Sequence, residues 1–75
     1  MIRVKVQNSR YLPVTGVMVV ELHVRHLLGE HYEVWGGSPG EWTTESGMPL
    51  TRKRRRVLNR EFRKVPPGVR SRGLS

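Results

Sequence analysis

The chain contains no cysteine, and this absence excludes two common ways of stabilising a small domain. Neither a disulfide framework nor a thiolate metal site can form without that residue. The 75 residues make one domain at most and bury only a limited core. A domain of this size without such cross-links is expected to be marginally stable, and the lack of cysteine fits a reducing compartment.

The sequence also lacks a long apolar run. No stretch has the length and hydrophobicity needed to span a bilayer. The first six residues alternate charged and apolar side chains, which is unlike a signal peptide. We therefore expect no membrane partner and a cytoplasmic or nucleoid-associated protein, or a nuclear one in a eukaryote.

Acidic residues are scarce, and their shortage is confined to the last third of the chain. Residues 1–50 hold four cations and five anions, a formal charge of −1, whereas residues 51–75 hold ten cations and one anion, a formal charge of +9. Eleven of the fourteen cations are arginine, whose planar guanidinium binds phosphate oxygens in pairs. This polarised charge favours a polyanionic partner, with nucleic acid as the first candidate.

Residues 51–65 have the composition of a helix with defined ends. They contain no glycine or proline, and the hydroxyl of Thr51 can cap the first turn. Pro49 in the first turn would give an alternative start. Pro66 and Pro67 cannot continue a helix, so the helix is expected to end near Val65.

A helical wheel divides this segment into an apolar arc and a cationic arc. At about 100° per residue, an arc of roughly 140° collects four apolar residues: Val57, Leu58, Phe62 and Val65. Arg54 and Glu61 fall in the same arc and blur it, and the other arc is cationic except for Asn59. We expect the apolar arc to pack on a core and the cationic arc to face an anion.

The first fifty residues alternate in the manner of β-strands. We predict strands at 2–7, within 14–28, at 31–35 and at 41–45, with a connecting loop over 8–13 and Trp42 closing the core. The residues expected to face inward are Val20, Leu22, Val24, Leu28, Tyr32 and Val34. A helix over 17–28 is the alternative, and the density of β-branched residues favours the strand.

Together these patterns predict an α+β fold. A small antiparallel sheet of three to four strands, a β-meander over 1–47, is covered by one C-terminal amphipathic basic helix over 51–65. These parts form a single small domain over 1–65, and residues 66–75 form a flexible, disordered basic tail. Strands followed by one helix are similar to the order in small DNA- and RNA-binding modules, an analogy of fold that does not assign function.

Residues that often carry chemistry occur here without the partners that chemistry needs. His23, His26 and His31 have no cysteine or aspartate nearby, and His23 and His26 would face opposite sides of a strand. The glutamates are spread singly, and the glycine-rich loop at 36–40 lacks the Gly-Lys-Ser/Thr of a phosphate-binding loop. We therefore expect no metal, no cofactor and no enzymatic activity.

These arguments predict a small non-enzymatic protein that binds RNA or DNA through an arginine-rich helix, within a ribonucleoprotein or transcription assembly. The expected phosphate contacts are Arg52, Lys53, Arg54, Arg55, Arg56, Arg60, Arg63 and Lys64, with Arg70 and Arg72 as a trailing arm. Asn59 is the uncharged candidate for a base edge. Tyr11, expected in a loop beside Arg10, is the candidate for base stacking.

Other partners stay open at this stage. The basic run could contact an acidic protein surface, serve as a nuclear address or be a solvated face. A protein-interaction module or inhibitor that docks on a larger nucleic-acid-processing enzyme or a ribosome, through its sheet edge and aromatic loops, is the alternative function. An exposed patch containing Trp35 or Trp42, or a free sheet edge, would favour that alternative.

Overall fold

The fold is a four-stranded antiparallel meander that carries one helix near the C-terminus, which confirms the predicted α+β class. The computed structural model describes residues 2–68. The elements, in chain order, are β1 Arg3–Leu12, β2 Val17–His26, β3 Gly29–Gly37, β4 Thr43–Thr44 and α1 Arg52–Arg63. The sheet order is β1-β2-β3-β4. In the described part of the chain, no helix has the length and apolar character to cross a membrane.

β1 is longer than its apolar alternation predicts. The segment 8–13, expected to be a loop, continues the strand as far as Leu12. A bulge between Val6 and Asn8 shifts the register against β2 by one residue. Because an extra residue exchanges the two faces of a strand, even-numbered residues face the helix before the bulge and odd-numbered residues face it afterwards.

β2 supplies the centre of the core, as its alternation predicts. Its buried residues are Met18, Val20, Leu22 and Val24. The alternative helix over 17–28 is therefore wrong. The expectation that Leu28 is buried is also wrong, because Leu27 and Leu28 form the two-residue turn between β2 and β3 and lie in solvent.

β3 presents the opposite faces from those expected. Tyr32 and Val34, predicted to point inward, are 58% and 52% exposed, whereas Glu33 and Trp35 are buried. The two-residue turn before β3 sets a register in which Glu33 lies opposite Leu22. Burial of the large indole stabilises this register, and an ion pair described below compensates the buried carboxylate.

The segment between β3 and α1 closes the core with little regular structure. The predicted strand at 41–45 is reduced to Thr43–Thr44, and Trp42 is buried as expected. Gly37 has φ of 136°, and a Cβ there would lie 2.4 Å from the carbonyl oxygen of Glu41. Only glycine therefore fits where β3 meets this segment.

α1 covers the sheet and lies mainly against β1. Thr51 is the N-cap, and its Oγ1 accepts a hydrogen bond from the backbone N–H of Arg54 at 3.3 Å. The helix ends at Arg63, two residues before the predicted Val65. The apolar arc packs on the core through Leu58, Phe62 and Val65, which are buried, and through Val57, which is half-buried.

Candidate nucleic-acid interface

The run of five cations at 52–56 is divided at Arg54, whose side chain points into the protein. Arg54 is only 6% exposed. Its Nε and Nη2 donate hydrogen bonds to Oε1 and Oε2 of Glu33 at 2.7 and 2.6 Å. The structure therefore corrects the prediction that Arg54 contacts phosphate. The reason is helical geometry, because Arg54 lies one turn before Leu58 on the side that faces the sheet.

Glu33 is the centre of a buried network of hydrogen bonds. Its carboxylate also accepts from Trp35 Nε1 at 2.9 Å, and His31 Nε2 lies 2.7 Å from Oε2. The hydrogen bonds from Arg54 outweigh the effect of burial and lower the pKa of Glu33 to about 2, and the same bonds raise the pKa of Arg54. Arg54 Nη1 also donates to Thr51 Oγ1 at 3.2 Å, so the network joins the sheet to the helix cap.

Glu61, the other charged residue in the apolar arc, makes the second polar link between α1 and the sheet. Its Oε1 accepts a hydrogen bond from Ser9 Oγ at 2.7 Å, and Lys64 Nζ lies 3.0 Å from Oε2. Partial burial raises the pKa of Glu61, but the bonds from Ser9 and Lys64 outweigh it, so the net pKa is lowered. Both charged residues of the apolar arc, Arg54 and Glu61, thus form hydrogen bonds with side chains of the sheet.

The outer side of α1 carries a cationic face, which consists of Arg52, Arg55, Arg56, Arg60 and Arg63 together with Asn59. All five arginines are exposed. Arg52, Arg55, Arg56 and Asn59, spaced by three or four residues, line a shallow concavity of about 410 Å³. Within residues 2–68, none of these arginines forms an ion pair with a glutamate. Their charges are therefore available to a partner.

Asn59 is held within the cationic face by the core. Its Oδ1 accepts a hydrogen bond from Trp42 Nε1 at 2.7 Å. This bond uses one lone pair of the amide oxygen and fixes the amide plane, which leaves the Nδ2 group as a pre-oriented donor. Contact between Asn59 and a base edge stays a prediction, in which Asn59 would act through its Nδ2 donor.

The aromatic residue available to a ligand differs from the one predicted. Tyr11 lies in β1 rather than in a loop, and its ring packs edge-to-face on Phe62 with centroids 5.9 Å apart. The expected loop position of Tyr11 is therefore wrong, and its half-buried ring is partly used by the core, while stacking on a base stays a prediction. Tyr32 is exposed instead and stacks on His23 with centroids 4.8 Å apart. The exposure of Tyr32 was missed from the sequence because β3 was assigned the opposite faces. The two-residue turn before that strand was the signal that could have indicated the correct register.

The other predicted contacts are placed differently or lie outside the described residues. Lys53 Nζ donates to the backbone carbonyl of Ile2, so this side chain turns from the cationic face toward the start of β1. Lys64 pairs with Glu61, as described above. Arg70 and Arg72 lie outside residues 2–68, as does most of the predicted tail.

The histidines do not assemble into a metal site with acidic residues. His31 Nδ1 lies 3.3 Å from His26 Nε2, while His23 is on the opposite face of the sheet beside Glu30. Across residues 2–68, no group of three or more histidine, aspartate or glutamate side chains is arranged to hold a metal ion.

The fold and surface together define a small α+β protein with an exposed arginine-rich helix face. No protein-family model, curated protein or solved structure matches this chain.

Proposed function

We propose that the protein binds nucleic acid through the cationic face of α1, without enzymatic activity. The observation that supports this proposal is the division of the arginine run. Arg54 is taken up by Glu33, whereas Arg52, Arg55 and Arg56 face outward with no glutamate beside them. Like charges on one side of a helix repel each other, so the fold alone gives no reason for this face.

The arrangement fits a phosphate backbone better than a single small anion. A helix of twelve residues is about 18 Å long, and the arginines are distributed along its whole outer side. Several phosphates spaced along a strand can pair with separate guanidinium groups over that length. Asn59, in the middle of the face, adds a fixed amide donor. RNA and DNA both present the required charges.

Binding to fluorescein-labelled single-stranded and double-stranded RNA and DNA, measured by anisotropy at several salt concentrations, tests the proposal. For duplex DNA, the logarithm of the association constant should fall with the logarithm of salt concentration, with a slope of about −0.9 per phosphate contacted. Arg55→Glu should weaken binding and make the slope shallower by about 1 or more.

Arg10→Glu is the matched control, because it changes the net charge equally at an exposed position on β1. The proposal predicts that this control binds nearly as well as the wild type. Equal losses for Arg10→Glu and Arg55→Glu would show that only net charge matters. No measurable binding to any of the four nucleic acids at low salt would contradict the proposal.

An open strand edge supports a second candidate function, docking on a larger protein assembly. β4 pairs only with Trp35 and Gly36, and the Thr44 hydroxyl donates to the carbonyl of Val34, so in the described part of the chain β3 lacks a second neighbour over 29–33. Such an edge presents unpaired backbone groups to another strand. Leu27 and Leu28, at the adjoining turn, are 93% and 92% exposed. The other observation that would favour docking, an exposed patch containing Trp35 or Trp42, is not present, because both residues are buried.

Pull-down after nuclease digestion separates the two functions. A protein partner that survives nuclease, and is lost when Leu27→Ser and Leu28→Ser are introduced together, would support docking. The same double variant should leave nucleic-acid affinity almost unchanged if binding is confined to the cationic face. Partners that all disappear on nuclease treatment would favour nucleic acid.

A further inference from the structure

A second group of cations, which we call the sheet cleft, lies at the start of β1. It is a cleft of about 420 Å³, lined by Arg3, Val4, Lys5, His23, Arg25 and Lys53. These residues come from β1, β2 and the first turn of α1. The sheet cleft is therefore built by three elements rather than by one flexible segment.

The register of the sheet brings these like charges together. Arg3 lies directly opposite Arg25, and Lys5 lies directly opposite His23. Like charges directly opposite each other destabilise a sheet, so the pairing of Arg3 with Arg25 is unfavourable for the fold. The carboxylate beside them is Glu30, whose Oε2 is 3.0 Å from His23 Nε2 and 3.7 Å from Arg25 Nε. Of the four cations that line the sheet cleft, only Arg25 forms an ion pair with a glutamate in the described part of the chain, so most of this positive charge is not neutralised within the fold.

Lys53 connects the sheet cleft to the helix. Its ammonium group donates to the carbonyl of Ile2, which holds the side chain at the edge of β1. An ammonium group has three N–H donors, so further donors are left for a ligand. Arg52, the preceding residue, lies in the cationic face of α1. The two cationic surfaces therefore meet at the first turn of the helix.

An exposed aromatic ring adjoins the sheet cleft. Tyr32 lies opposite His23 on the neighbouring strand, and the two rings are stacked with an interplanar angle of 20°. Tyr32 is 58% exposed, so much of its side chain is accessible to a ligand. A phosphate site beside an exposed aromatic ring matches the two chemical parts of a nucleotide, a phosphate and a base.

We propose that the sheet cleft binds a phosphate group. The chemistry follows from the guanidinium and ammonium groups that converge there from three elements. The assignment of this phosphate to a nucleic acid rests on the proposed function. In that assignment, the strand that lies along the cationic face continues past Arg52 and Lys53 onto the open face of the sheet. A free phosphorylated small molecule would present the same group.

Two titrations of the isotope-labelled protein, followed by amide chemical shifts, test the site and its source. The first uses inorganic phosphate against chloride at equal ionic strength, and the second uses a short single-stranded oligonucleotide. Phosphate should give saturable shifts at residues 3–5 and 23–25 that chloride does not give. Lys5→Gln and Arg25→Gln should each weaken phosphate binding by up to about fivefold, the upper range for an exposed ion pair.

Arg10→Gln is the control for the sheet cleft. It removes one charge from the same strand and the same open face, but lies opposite Val19 and outside the cleft. It should bind phosphate and oligonucleotide as the wild type does. With the single-stranded oligonucleotide, Lys5→Gln and Arg25→Gln should each make the salt slope shallower by about 0.7. Unchanged thermal melts for all three variants will establish that each is folded.

The outcomes separate this inference from the proposed function. The absence of saturable phosphate shifts, together with wild-type oligonucleotide affinity in the sheet-cleft variants, would overturn the inference even if Arg55→Glu still weakened binding. Saturable phosphate binding without oligonucleotide binding would support the site, assign it to a free phosphorylated molecule and contradict the proposed function. If Lys5→Gln and Arg25→Gln weaken the binding of both phosphate and the oligonucleotide, the result would support a continuous binding path from the helix to the sheet.

Discussion

Replacing Arg54 with methionine should destabilise the protein far more than the same change at Arg55. Methionine keeps much of the side-chain length but removes the guanidinium, so Glu33 is left buried without its cation. Removing one partner of a buried pair costs roughly 3–5 kcal/mol, because the remaining charge is not compensated. Arg55 is exposed, and Arg55→Met should change the free energy of unfolding by less than about 0.5 kcal/mol.

The pKa of Glu33 gives a second estimate of how much its ionised carboxylate contributes to the free energy of unfolding. The value of about 2 lies below the ordinary 4.5. A difference of this size corresponds to about 3 kcal/mol of stability, since one pKa unit is about 1.4 kcal/mol. The carboxyl of Glu33 is buried, so solvent screening reduces this figure little. The two estimates agree in order of magnitude, and a loss of that size is a large part of the stability of a small domain.

The sign of the pH dependence follows from the lowered pKa. The stabilisation is fully present above about pH 4.5, where the carboxyl is ionised in both the folded and unfolded states. It is lost as the pH falls from 4.5 through about 2, because the unfolded state takes up the proton first. In Arg54→Met this loss should be much smaller, because Glu33 no longer has the partner that lowers its pKa.

Urea denaturation between pH 2 and pH 7, followed by tryptophan fluorescence, measures both effects. Trp35 and Trp42 are buried and report on the core. A cost below about 1 kcal/mol for Arg54→Met at pH 7, or acid profiles parallel to those of the wild type, would refute the reasoning. A double-mutant cycle with Glu33→Gln should show coupling, whereas additive losses would mean that the two side chains act independently.

Three further changes test the fold and the cationic face. Gly37→Ala should cost roughly 1–3 kcal/mol in thermal or urea unfolding, because its Cβ would meet the carbonyl of Glu41, whereas Gly36→Ala, which meets nothing within 4 Å, should cost little. Asn59→Ala should destabilise by roughly 1–3 kcal/mol because Trp42 Nε1 loses its acceptor, whereas Asn59→Asp should keep that bond. Added RNA or DNA should increase helical circular dichroism, because the first turn carries cations and no acid; unchanged helicity would contradict this ordering.

The sequence was sufficient to predict the order and type of the main elements. The alternation of β2 and the wheel of α1 are strong signals, since each pattern persists over many residues and selects one face. The faces of β3 could not be predicted from alternation alone, because Tyr32 and Val34 alternate as regularly as Glu33 and Trp35. The register set by the two-residue turn decides between them.

The charged residues of the apolar arc were visible in the sequence, but their partners were not. The wheel placed Arg54 and Glu61 on the side that packs on the sheet. Glu33 could not be matched to Arg54 while β3 was expected to turn that carboxylate outward. Ser9 was expected in a loop, and only the bulge in β1 brings it beneath Glu61. The prediction for Arg54 therefore failed because the faces of β3 were assigned wrongly, and not because the helical wheel misplaced Arg54.

The ion pair of Arg54 and Glu33 joins the fold to the candidate interface. A buried ion pair often contributes no more stability than an apolar pair of similar size, so its presence calls for another reason. The contact between Arg54 and Glu33 favours one orientation of both elements. With it formed, Glu33 is on the inward face of β3 and the other arginines of α1 are on its outward side. A rotation of α1 that released Arg54 would also turn Arg55 and Arg56 relative to the sheet cleft. The buried arginine thus sets the orientation of its exposed neighbours, and the proposed nucleic-acid surface depends on a residue whose own side chain lies outside that surface.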